Sequence, residues 1–139
     1  MNRAALAFKP RTGRAVLVML AGDLHEPRVI ERSEVRLLPP GEFAPYVRMH
    51  KAEGELFRDV LVKGVCACGF ELTTLPDKTA IDAAAKRLGV TRARLDAELT
   101  ALGKKAGPPW GKYQKEAAAV ALVVLKEAKG KAGGACRPD

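Results

Sequence analysis

The chain has 139 residues, 47% hydrophobic and 29% charged, the size and balance of one globular domain with a real core. Its 24 Lys and Arg against 16 Asp and Glu leave a net charge of +8, which favours an anionic partner such as DNA or RNA. No apolar run is long enough for a membrane helix, and the basic residues are too dispersed for a polybasic arm.

Ala4–Phe8 and Ala15–Leu20 are short apolar runs flanking Lys9–Arg14, a segment with Pro10 and Gly13, and this pattern predicts an antiparallel hairpin. Ala15–Ala21 behind Arg3, Lys9, Arg11 and Arg14 has the outline of a signal peptide, but Pro10 and Gly13 read better as a turn between strands. The second run lacks polar alternation, as a strand covered on both faces does. Arg28–Leu37 is β-branched but rich in charge, which suits a third strand at an exposed edge. Leu38–Pro45, with Pro39, Pro40, Gly41 and Pro45, breaks regular structure.

From His50 the apolar spacing becomes helical, with Leu56, Phe57, Val60, Leu61 and Val65 on one face and Gly69 as the stop. Gly54 and Gly64 inside this helix are candidates for close backbone approach. Phe70–Leu75, between Gly69 and Pro76, predicts a short strand. Asp77 is placed to cap a helix ended by Gly89, and Thr91 to cap a second with Leu95, Leu99 and Leu102 in one stripe and Gly103 after it. Such a pair also fits a helix-turn-helix, for which Arg92 and Arg94 are the available contacts. Gly107–Gly111 is a stiff turn before a last helix from about Tyr113 to Ala128, whose apolar centre predicts burial against the sheet. Residues 1–128 thus read as one domain and 129–139 as a flexible basic tail.

Cys66, Cys68 and Cys136 do not make a disulfide framework, and Cys-x-Cys without further ligands does not close a zinc site. Cys66 and Cys68 read as packing residues at a helix end, and reduced thiols point to the cytoplasm. No phosphate-binding loop, dinucleotide fingerprint, nucleophile elbow or zinc-protease motif is present. Two polar clusters remain. His50 and Glu53 share a helix face with Glu55 and Arg58 alongside, an arrangement that fits a divalent ion or a proton shuttle as well as a plain helix start. Trp110 with Lys112, Tyr113 and Lys115 offers a ring beside lysines, which fits a base and its phosphate as well as a buried anchor with solvated flanks.

His50-x-Ala-Glu-Gly-x-Leu-Phe-Arg58, the helix pair, Gly107-Pro-Pro-Trp110 and Gln114-Lys-x-Ala-Ala118 together resemble uncharacterised bacterial proteins of ribonuclease-H-like fold, distantly similar to RuvC-type resolvases. The resemblance implies an α/β fold: a three-stranded antiparallel meander, a short parallel strand and about four helices. One helix–strand unit is missing where Leu38–Met49 bridges β-structure to the His50 helix. It also implies that an active relative carries an aspartate on the first strand, because two metal ions need converging carboxylates. Here that strand reads Ala-Leu-Ala-Phe-Lys-Pro, and the last helix offers Glu116.

The leading expectation is therefore a nucleic-acid-binding module without a standard two-metal site or cofactor, contacting DNA or RNA through Arg11, Arg14, Lys112, Lys115 and Trp110. One alternative is a divergent nuclease or resolvase using Glu53, Glu55, Glu116 and His50 with Mg²⁺ or Mn²⁺. Another is a protein-interaction module that forms a homodimer through the last helix and the shortened sheet edge.

Overall fold

A computed structural model describes residues 4–11, 14–36, 61–69, 72–76 and 78–127. Strands β1 (Ala4–Arg11), β2 (Arg14–Ala21) and β3 (Arg28–Arg36) form an antiparallel sheet in the order β1-β2-β3. Helical residues 61–67 (α1) precede α2 (Ala80–Leu88), α3 (Arg92–Ala106) and α4 (Lys112–Glu127). The α/β class and the three-stranded meander are as expected.

The hairpin is longer than the apolar runs alone suggest, because pairing continues to Arg11 opposite Arg14. Pro10 therefore lies inside β1, opposite Ala15. Proline is tolerated there because β1 is the outer strand of the described sheet, where the missing N–H does not interrupt a central ladder. Ala15, Val16, Val18 and Leu20 of β2 are all buried, as befits the central strand. At the opposite edge, β3 is half-buried only at Val29, Arg32 and Val35, and its other charged residues, Arg28, Glu31, Glu34 and Arg36, are exposed.

Register pairing divides the sheet into two faces. Ala5, Ala7 and Lys9 of β1 align with Leu20, Val18 and Val16 of β2, and this is the face that α4 covers. Ala117, Ala118, Ala119, Ala121, Leu122, Val123 and Leu125 of α4 are all buried, and Ala117 lies on the side of the helix that looks toward β1, one residue after the Glu116 that reaches Lys9. Alanine against alanine lets helix and strand approach closely. Leu95 and Leu99 from α3 and Ala84 and Ala85 from α2 complete the core around α4. Each buried Leu contributes about 2 kcal/mol through loss of apolar surface from water.

The helix boundaries follow local chemistry with two exceptions. Thr91 Oγ1 accepts from the Arg94 N–H at 3.1 Å, and Gly89, at φ 72°, closes α2 in the left-handed region. At the start of α2, however, the N-cap is Thr79, whose side chain makes no capping bond, and Asp77 lies outside the described residues. The second exception is Gly103, which does not stop α3: the helix continues to Ala106 and ends at Gly107. Gly103 is instead where the Trp110 ring lies on the backbone, for a Cβ there would sit 2.1 Å from Trp110 Cδ1. Of the two expected close-approach glycines, Gly54 lies outside the described residues, and Gly64 has nothing among the described residues within 4 Å of its Cβ position.

Of the short strand expected at Phe70–Leu75, residues 70 and 71 lie outside the described residues, and the remainder is not a strand. Residues 72–76 are outside helix and strand, and an apolar cavity separates them from β1 where a ladder would otherwise run. The expected chemistry of Cys66 also changes: it is disulfide-bonded, to a partner outside the described residues, while Cys68 keeps a free, exposed thiol. Cys-x-Cys spacing speaks only to local pairing, so a bridge to a remote residue is invisible to it. The inference from reduced thiols to a reducing compartment therefore loses its basis. No helix among the described residues is long and apolar enough to cross a membrane.

The two glycines make opposed predictions. Gly64→Ala should stabilise the protein by about 0.5–1 kcal/mol through helix propensity, whereas Gly103→Ala should destabilise it by about 2 kcal/mol through overpacking against Trp110. Urea denaturation of both variants measures the contrast; equal shifts would refute the Trp110 packing.

Candidate nucleic-acid interface

Antiparallel register places cross-strand partners on the same face of a sheet. Arg11 is opposite Arg14, and Arg14 is opposite Arg36, so one arginine from each strand lines up across the end of the sheet. The row beneath it is Lys9, Val16 and Glu34. Like charges directly opposite one another are unfavourable, and the chain offsets part of that cost locally. Arg14 pairs with Glu34 at 3.5 Å, and Arg11 lies 4.0 Å over the Tyr113 ring of α4, a cation–π contact.

The start of α4 adjoins this end. Its first turn contains Lys112 and Lys115 and no acidic residue, so the positive end of the helix dipole adds to the local potential. Lys112 is 78% exposed and reaches Glu116 at 3.9 Å. The Arg11, Arg14, Lys112 and Lys115 singled out from sequence thus belong to one end of the molecule. Arg36 and Tyr113 join them, and the β3 register supplies Arg36.

Below the arginine row, Lys9 Nζ lies 2.8 Å from Glu116 Oε2, with both side chains largely buried. The ammonium at that distance neutralises the carboxylate and is the partner of a buried oxygen. Glu116, a candidate catalytic carboxylate, is therefore charge-compensated by a lysine on the strand it faces. Lys9 is a site residue that composition alone does not single out, and the alternation Ala5, Ala7, Lys9 is the signal that places it on the inward face.

Trp110 is used differently from a stacking platform. Its Nε1–H donates to the Leu99 carbonyl at 2.9 Å and its ring covers Gly103, so it anchors the turn before α4 to α3. Arg32 of β3 holds the same turn by donating to the Pro108 carbonyl at 2.8 Å. The helix-pair arginines are likewise engaged. Arg92 bonds Asp82 at 2.7 Å and pairs with Asp96 at 3.1 Å, and Arg94 pairs with Glu98 at 3.5 Å. The Asp82 hydrogen bond, ahead of the Asp96 charge, holds the Arg92 guanidinium above its ordinary pKa.

His50, Glu53 and Glu55 lie outside the described residues. Among the described residues, no three His, Cys, Asp or Glu side chains gather as metal ligands would.

Removing one partner of the buried pair leaves the other charge stranded. Lys9→Met should cost about 3 kcal/mol, and Lys9→Met with Glu116→Leu should recover most of that loss. Urea denaturation across the double-mutant cycle measures the coupling; additive losses would show that the pair does not act as a unit. Comparison with protein-family models, with curated proteins and with solved structures finds no match for this chain.

Proposed function

We propose that this chain is a non-catalytic nucleic-acid-binding module that reads the phosphate backbone through the arginine-bearing end of its sheet. The observation that carries this reading is the cross-strand alignment of Arg11, Arg14 and Arg36 beside Lys112 and Lys115. Adjacent strands are about 4.8 Å apart, so the row presents cations at intervals that suit successive phosphate oxygens. Arginine forks meet phosphate oxygens in pairs, and each contact releases condensed counterions. No described feature reads base edges, which favours affinity for backbone over affinity for sequence.

A ribonuclease-H-like ancestry is supported by the antiparallel meander and by α4 lying across β1 and β2 with its carboxylate toward the first strand. On that reading Lys9 stands beside the carboxylate that a metal-dependent relative would leave free for its ions. A buried ammonium neutralises Glu116 without needing Mg²⁺ or Mn²⁺, and this favours binding over cleavage.

Fluorescence anisotropy with labelled single-stranded, duplex and branched oligonucleotides tests the proposal. Binding should weaken steeply between 50 and 200 mM salt, values chosen for counterion sensitivity. Arg14→Glu should lower affinity about tenfold and reduce the salt slope by about 1, while Lys104→Glu on α3, with the same charge change, should leave both near wild type. Salt-insensitive binding, or equal losses in the two variants, would reject this interface. Cleavage in Mg²⁺ that Glu116→Gln abolishes would instead favour the nuclease alternative.

A further inference from the structure

Along the outer edge of β1 lies a cavity of about 520 Å³, bounded on its other sides by α1, residues 72–76 and α4. Every residue from Ala4 to Pro10 lines it, so it takes in both faces of the strand and the edge between them. On the α4 face the wall is built of small residues, Ala5, Ala7 and Ala117, with Val120 and Val124 beyond. On the other face Leu6 is 42% exposed, so that side is the more open. The space follows six residue steps of strand, about 20 Å. It is a groove wrapped around a strand edge.

What a strand edge offers a ligand is backbone. In an antiparallel pair, alternate residues turn their N–H and C=O toward the partner strand and the others turn them away. β1 has β2 on one side and, among the described residues, no strand on the other, so between Ala4 and Phe8 the outward groups face the groove. Its described walls are otherwise apolar, apart from Thr73, Thr74 and the Lys9–Glu116 pair at one end. Amides set between apolar walls gain most from a second extended backbone, which serves several of them at once and places its side chains alternately against the two walls. The edge is recessed between α4 and residues 72–76, which admits a single extended segment and excludes the β1 edge of a second copy, itself flanked by the same walls.

Charge sets the polarity of the occupant. Lys9 is already engaged, by Glu116 at 2.8 Å and by a further interaction. Lys112 shares that carboxylate at 3.9 Å while staying 78% exposed, and Arg11 lies just past Pro10 over the Tyr113 ring. An acidic residue arriving at the Pro10 end therefore meets Lys112 and Arg11. We infer that the groove receives an extended peptide of a partner protein, added to β1 as an antiparallel strand. About five of its residues lie along Ala4–Phe8, with apolar side chains opposite Ala5 and Ala7 and an acidic residue beyond them at the Pro10 end. Residues 129–139 of this chain do not suit the groove, because they are basic and contain no β-branched side chain. The inference goes beyond the nucleic-acid reading, since the groove uses none of Arg14, Arg36 or Lys115.

Isothermal titration of the full chain with synthetic peptides tests the inference. The parent probe, acetyl-Asp-Ser-Thr-Val-Thr-Val-Thr-amide, sets its valines opposite Ala5 and Ala7 and its aspartate at Pro10, and it should bind saturably. Lysine in place of that aspartate should weaken binding about fivefold. Methylating the two valine nitrogens, or instead those of the first two threonines, blocks opposite edges of the peptide, so one derivative should bind about tenfold more weakly than the other. Val120→Trp, whose ring fills the groove, should abolish binding while far-ultraviolet circular dichroism stays that of wild type. If that variant does not fold, Leu75→Trp on the opposite wall serves the same purpose. Absence of parent binding would overturn the proposal. So would equal affinity of the two methylated derivatives, equal affinity of the lysine peptide, or binding that survives a filled groove. A dimer of the free chain in sedimentation equilibrium that the parent peptide fails to dissociate would assign the edge to a second copy and overturn it as well.

Discussion

The close apposition of α4 and β1 is the constraint on which the rest of the architecture depends. It is possible because both surfaces carry small side chains, Ala5 and Ala7 on the strand and Ala117 on the helix. Larger residues there would hold α4 away from the sheet. At that greater separation Lys9 could not reach Glu116, and the first turn of α4 could not bring Tyr113 beneath Arg11. The apposition also forms one wall of the interior cavity. A single packing choice thereby positions the buried ion pair, the basic end of the sheet and the apolar space below them.

The helices around α4 are tied down by polar contacts at their ends, which leaves the middle of α4 free to be apolar. Arg87 forms a two-point contact with Glu127, with Nε to Oε2 at 2.7 Å, and Lys126 donates to the Arg87 carbonyl at 2.7 Å. These contacts join the close of α2 to the close of α4. At the other end, Trp110 and Arg32 fix the turn through the carbonyls of Leu99 and Pro108. Both are hydrogen bonds from side chains to backbone acceptors, which orient a turn more directly than apolar packing does. The direction of α4 over the sheet is thus set from its two ends.

Period-two and helical spacing made the hairpin, the charged edge strand and the stops at Gly89 and Gly69 legible in advance, because each follows from forces local to a few residues. Gly103 shows the limit of that locality: a glycine after a leucine stripe is locally a helix stop, and only the three-dimensional position of Trp110 reveals it as a packing site. Residues 72–76 likewise have strand-like composition, but a strand needs a partner, and the cavity occupies the space beside β1. For the candidate site, Arg11, Arg14, Lys112 and Lys115 were recognisable as cations, yet their common location depends on register. Arg36 and Lys9 could be found only by counting alternation from Ala5 and pairing β2 with β3.

The arginine row is costly in the unliganded protein, and that cost bears on its purpose. Cross-strand positions ordinarily gain from opposite charges or apolar pairs, and a sequence shaped by stability alone would use them that way. The row below on the same face avoids like charges in apposition, since Val16 separates Lys9 from Glu34, and its two charges are answered from elsewhere, Lys9 by Glu116 of α4 and Glu34 by Arg14. The next row instead presents Arg11, Arg14 and Arg36 side by side at the opening of a helix whose first turn has no carboxylate. Local departures from the rules of stability concentrate where a protein meets a ligand. An anion placed across the row would remove the repulsion that the isolated fold tolerates, so binding there would relieve strain and add contacts together.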